Sequence, residues 1–189
     1  MELKDTVESP EAVLEFWLGE VGADGWYAVS AEVDATIVAR FMDTWKAAKR
    51  GELDDWLLRP AHALALLIVL DQFPRNMFRD CGEAFSTDPK ALCVAKKAIS
   101  LGHDMKTGEP ERQFFYLPLM HSESLVDQDR CVRLILTRMP QTGAHNLPYA
   151  REHRDVIRQF GRFPYRNAAL GRRTTAAEAV YLEDHGYAA

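Results

Sequence analysis

The run from Pro60 to Leu70 constrains this chain more than any other stretch. From Ala63 to Leu70 every residue is apolar, so the segment has no face to give to water. A continuous apolar run also suits a buried strand of a parallel sheet, but its Ala and Leu content and its length of more than ten residues favour a central helix enclosed on all sides. Leu64, Leu67 and Ile68 are then core residues, joined by Phe41 from an earlier segment. The run leads into Asp71-Gln72-Phe73-Pro74-Arg75-Asn76. Proline has no amide proton and its ring crowds the preceding turn, so this reads as a helix exit whose last carbonyls take donors from Arg75 and Asn76.

A second exit of the same design follows a later helix, at Gln159-Phe160-Gly161-Arg162-Phe163-Pro164-Tyr165-Arg166-Asn167. Helix signals fill the rest of the chain. Ser9-Pro10-Glu11 is an N-cap followed by proline at the first helical position. From Ser30, the residues Val33, Ile37, Phe41, Trp45 and Ala48 recur every three or four positions, and Gly51 closes that helix. Asp88-Pro89 and Glu109-Pro110-Glu111 start further helices; Ser122 is expected to cap one from Glu123 to about Met139, Asn146 one from Leu147 to Phe160, and Thr174 or Thr175 a last one. No strand alternation competes, and no fixed-period repeat or low-complexity linker interrupts the pattern. The expectation is an all-α array of about eight antiparallel helices, forming one domain over residues 1–189.

Composition narrows the function classes. A formal charge of −5 argues against nucleic-acid binding, and the longest apolar run is too short to span a bilayer. Cys81, Cys93 and Cys131 are scattered and odd in number, which suits reduced thiols in a cytosol rather than a disulfide framework or zinc site. The acidic start, Met1 to Asp5, has no signal-peptide character. Charge is unevenly placed, because residues 146–173 hold seven arginines against Glu152 and Asp155. That basic segment either lies against acidic parts of its own chain or forms an anion-binding face.

Several motifs carry a resemblance: Trp17-Leu18-Gly19, the segment from Gly51 to Trp56, Leu70 to Arg79, Phe115 to Glu123, and His153 to Gly171. Together, from about residue 10 to residue 183, the chain resembles the bacterial domain-of-unknown-function family nine-two-four. The resemblance implies a soluble bacterial protein with an all-helical fold similar to tetratricopeptide-like superhelices. It implies no activity. Where the family commonly carries His in the last motif this chain has Tyr165, so no role that needs an imidazole carries over to that position.

The candidate chemistry gathers at the two exits and at Met120-His121-Ser122-Glu123. Asp71 stands at the expected C-terminal end of an apolar helix, where the dipole disfavours a carboxylate, so it needs a cation or has a pKa-shifted task. Arg151, Asp155, Arg158 and Arg162 share one helix face. Three readings stand side by side. In the first, a cleft binds a small anionic ligand or an acidic peptide end through Arg75, Arg158, Arg162 and Arg166, with Asn76 and Asn167 orienting it. In the second, a hydrolase uses His121 or His153 as general base, oriented by Asp71 or Glu123. In the third, the same cluster only specifies the fold. His121, His153 and Asp155 lack any established ligand spacing, so no metal site is expected, and the absence of GxSxG, GxxxxGK[ST] and GxGxxG motifs leaves no cofactor or nucleophile assigned.

Overall fold

In the computed structural model, residues 6–185 are described, and the expectation for Met1 to Asp5 lies outside them. The architecture is all-α, with no strand among the described residues. None of these helices is long and apolar enough to cross a membrane.

The caps read from the sequence form as the chemistry requires. Ser9 Oγ accepts from the Ala12 amide at 3.1 Å to start α1 (Pro10–Leu14), which runs on through a wide π turn at Glu15–Val21 into the short α2 (Gly22–Gly25). Ser30 Oγ accepts from Val33 N at 3.3 Å to start α3 (Ala31–Arg50), and Gly51, at φ 89°, turns the chain out of it. The apolar run forms α4 (Pro60–Leu67), and Leu67, Ile68 and Phe41 are wholly buried with Leu64 3 % exposed. α6 (Asp88–Ser100) packs against α4.

The first proline does not end its helix. After α4 the chain widens into a π turn at Ile68–Gln72, in which the Phe73 amide reaches back to the Ile68 carbonyl, and continues as α5 (Phe73–Met77). Because the wide turn takes up an extra residue, Pro74 falls in the first turn of α5, where its missing N–H leaves no bond unmade. The second exit is real, but Gly161, at φ 70°, ends α9 (Gly143–Phe160) three residues before Pro164.

Other boundaries shift. The stretch expected as a helix from Glu109 is a 3₁₀ turn at Glu111–Phe115 followed by α7 (Leu117–Met120). α8 (Leu125–Arg138) starts after Ser124, and Ser122, expected as its cap, instead donates to Asp127 at 3.0 Å. α9 begins at Gly143, ahead of the expected Asn146. α8 and α9 pair antiparallel, with Asp129 beside Arg154 and Arg158 at one end and Gly143 against Ile135 at the other. α10 (Ala176–His185) opens with a reciprocal capping box, Thr175 Oγ1 accepting from Glu178 N and Glu178 Oε2 from Thr175 N.

One hydrophobic cluster runs from Val13 to Ala150, and a small second one joins Val156, Ile157 and Phe163 to Phe160, Tyr165 and Tyr181. Between them lies the site.

Candidate active site

Asp71 is the centre of this region. The π turn delivers it into the interior, where it is 1 % exposed. A buried carboxylate needs its lone pairs filled, and here the Gln72 amide donates to Oδ2 at 2.5 Å while the His121 imidazole donates from Nδ1 to Oδ1 at 2.8 Å. Arg75, one turn on, holds Nη2 3.5 Å from Oδ1 and donates through Nη1 to the Asp71 carbonyl at 2.7 Å. Burial pushes the Asp71 pKa up, but His121, Arg75 and the Gln72 amide outweigh it and bring the carboxyl down to about 2.

His121 follows α7 directly. Gln128 on α8 donates to the carbonyls on both sides of it, Met120 O at 2.5 Å and Ser122 O at 2.8 Å, so this backbone is held from beneath. Burial and the Arg75 charge lower the His121 pKa against the pull of Asp71, and the ring is neutral at neutral pH. With Asp71 ionised, the single ring proton sits on Nδ1, leaving a lone pair on Nε2. No described residue hydrogen-bonds that nitrogen.

His121 lines a cavity of ≈ 650 Å³. Trp26, Tyr27, Val29, Phe85, Leu117, Met120 and Tyr149 give it apolar and aromatic walls; Arg75, Asn76, His145, Asn146, His153 and Arg166 add polar groups. Gln113 ties two walls together, accepting from Tyr27 Oη at 2.6 Å and Asn146 Nδ2 at 2.7 Å. The His153 ring lies 6.4 Å from that of His121. Its Nδ1 donates to the Tyr149 carbonyl at 2.9 Å, and burial together with His121 lowers its pKa to about 4. His153 is therefore also neutral, with Nε2 as its acceptor. Among the described residues no three His, Cys, Asp or Glu side chains gather in a way that could hold a metal.

The anion cleft expected from the sequence takes a different form, because most of its members are spent elsewhere. Arg158 is exposed and pairs with Asp155 at 2.8 Å. Arg162 holds Glu178 at 2.6 Å, and Asn167 turns its amide to Glu178 and Thr174; neither lines the cavity. Glu123 accepts from Phe163 N and Arg172, fastening the second exit to the start of α8, so it does not orient a histidine. Asn76 reaches the wall, but its amide nitrogen donates to Asp34, which also takes Arg79. Arg75 and Arg166 do converge on Asp88, Arg75 reaching both of its oxygens, at 3.1 and 3.3 Å, and Arg166 donating to Oδ2 at 3.0 Å. The surplus positive charge is absent because a carboxylate from the start of α6 neutralises it.

Asp88 was legible only as a helix start, since an Asp-Pro pair looks the same whether or not arginines approach it. Gln72, Gln113 and Gln128 gave no signal, being polar residues without motif spacing. Close packing completes the wall: a Cβ on Gly82 would lie 2.7 Å from the Ala169 carbonyl, so only glycine lets the loop bearing Phe85 approach the chain beyond Arg166 this closely.

Comparison with known proteins fits these motifs. The family model described as "Bacterial protein of unknown function (DUF924)" matches residues 13–186. The chain belongs to this family. A solved family-like structure, of a protein of unknown function from Agrobacterium tumefaciens, is 42 % identical, covers 93 % of this chain and 97 % of its own, and superposes with a TM-score of 0.86. No curated protein matches. Membership of DUF924 thus supports the helical fold and leaves the chemistry to be argued from the cavity.

Proposed function

We propose that this DUF924 member is an enzyme acting on a small organic molecule, with His121 as general base and Asp71 as the group that orients it. One observation carries the reading: a fully buried carboxylate grips His121 Nδ1, and the opposite nitrogen, bonded to no described residue, belongs to a ring lining a cavity. Such a pair fixes the tautomer and stabilises the imidazolium once a proton arrives.

Among the described residues the cavity lining contains no Ser, Thr or Cys, so an activated Ser or Thr hydroxyl or a Cys thiol has no candidate here. In this reading the base works directly on water or on a substrate proton. In the hydrolytic form, Nε2 takes a proton from water, the water oxygen bonds to an acyl carbon, and the imidazolium returns the proton to the leaving group as the old bond breaks. His153, neutral and nearby, is a second acceptor for water in the same space.

A panel of small aryl and alkyl esters, amides and lactones tests this. Turnover should fall by about 10² or more in His121→Gln with helical content unchanged. Nitrogen-15 NMR should show unprotonated Nε2 on His121 at neutral pH. A His121→Gln protein as active as wild type, or a His121 ring protonated on Nε2, would overturn the assignment.

A further inference from the structure

Arg166 has donors that no described residue accepts from. Three other arginines show what the edge formed by Nε and Nη2 ordinarily does in this chain: Arg50 holds Glu52 on it at 2.6 and 2.9 Å, Arg79 holds Asp34 at 2.6 and 2.8 Å, and Arg162 holds Glu178 at 2.6 and 2.9 Å. In Arg166 no described residue accepts from that edge. Its Nη1 donates to Asp88 at 3.0 Å, its Nε is buried without a partner, and no described residue accepts from Nη2. The residue is 5 % exposed and lines the cavity that holds His121.

A guanidinium buried with unmet donors is costly unless something completes it. This one is also held in place. The Phe85 and Phe163 rings lie 4.5 and 4.7 Å from its Cζ, and Asp88 fixes its far corner, so little freedom remains to be lost when a ligand arrives. A carboxylate fits a two-donor edge with both oxygens.

We propose that the Nε–Nη2 edge of Arg166 receives the carboxylate of the substrate, which is a small organic monoacid with an aromatic or apolar body; this rests on the His121 reading for the substrate's chemistry, though not for its binding. Charge sets the monoacid. Around the site Arg75 and Arg166 balance Asp71 and Asp88, Arg79 is taken by Asp34, and the Asp80 carboxylate also lines the cavity. With no surplus positive charge in the site, a monoanion adds one negative charge that the proton taken by His121 offsets, whereas a phosphate dianion would add a second with nothing to offset it. The lining sets the body. Tyr27, Val29 and Tyr149 line the cavity yet stand 58 %, 82 % and 53 % exposed, apolar surface that a ring would cover.

The experiment titrates sodium phenylacetate into protein labelled with nitrogen-15 arginine and follows the Arg166 Nε–H, with phenylacetamide and inorganic phosphate as comparisons. Expected is a saturable shift of that resonance, with the amide and phosphate weaker by about tenfold or more. Arg166→Lys, which keeps the charge and lacks the edge, should weaken phenylacetate about tenfold, whereas His121→Gln should still bind it. Should Arg166→Lys fail to fold, the wild-type resonance alone decides. An Arg166 signal unmoved by millimolar phenylacetate overturns the receptor even where His121 proves to be the base. Phosphate or the amide binding as well as phenylacetate overturns the monoacid assignment. Phenylacetate binding that persists while His121→Gln keeps full turnover removes the base and leaves the receptor standing.

Discussion

Replacing Asp71 by Asn separates the structural from the chemical part of the site. The side chain keeps its shape and burial, but one carboxylate oxygen becomes an NH₂ that must face either the Gln72 amide, at 2.5 Å in the native protein, or His121 Nδ1, at 2.8 Å. Two donors cannot share that space. The strain is relieved when His121 changes tautomer, placing its proton on Nε2 and accepting on Nδ1, which removes the base. Arg75 loses one of its two carboxylate partners and keeps Asp88. Breaking a buried pair from one side costs about 3–5 kcal/mol; because Asn still accepts one hydrogen bond and Arg75 remains paired, about 3 kcal/mol is expected at pH 7.

The pH dependence checks the cause. Asp71 has a folded pKa of about 2, below the unfolded value of about 3.9. Its stabilisation is therefore fully present above pH ~4 and is lost as pH falls through the folded pKa, an effect of about 2.6 kcal/mol. Urea unfolding of wild type and Asp71→Asn from pH 7 to pH 2.5 should show the two stabilities converging below pH ~4. Nitrogen-15 shifts of His121 should report the swapped tautomer. A difference below about 1 kcal/mol at pH 7, no convergence in acid, or an unchanged tautomer would each refute the argument.

Leu67→Ala should cost about 2–5 kcal/mol by urea denaturation, because the wholly buried side chain leaves a cavity among large neighbours; a cost below about 1 kcal/mol would mean that this helix relaxes as no central helix should. Glu178→Ala should release α10 by removing the capping box and the Arg162 pair together, raising amide exchange over 176–185 at a global cost of about 1–2 kcal/mol. The Arg162 guanidinium and the Thr175 amide hold Glu178 at about 2, so wild-type α10 should loosen only as pH falls from ~4.3 through that value; exchange in the variant that matches wild type at neutral pH would show that α10 is held by Tyr181 and Phe160 alone.

Local chemistry and hydrophobic period determined much of the fold. Ser9, Ser30 and Gly51 sit where caps must sit, because unpaired amides and carbonyls at helix ends have few ways to be satisfied. The run into Leu70 is buried because nothing on it tolerates water. Pro74 was misleading for a physical reason: whether a proline ends a helix depends on the turn before it, and the π turn at Ile68–Gln72 is favoured by tertiary packing and by the partners waiting for Asp71. His121 and Asp71 were recognisable as candidates, each being a titratable residue in an apolar setting. Their pairing, fifty positions apart, was one of four His–carboxylate combinations that the sequence left open, and only the fold chose it. Likewise the sequence shows a stripe of arginines, yet a guanidinium's role is set by the carboxylate that reaches it. Asp155 takes Arg158, Glu178 takes Arg162, and Asp88 takes only one corner of Arg166. Helix formation is a short-range property and can be read along the chain, whereas charge pairing is settled between segments that meet only after folding.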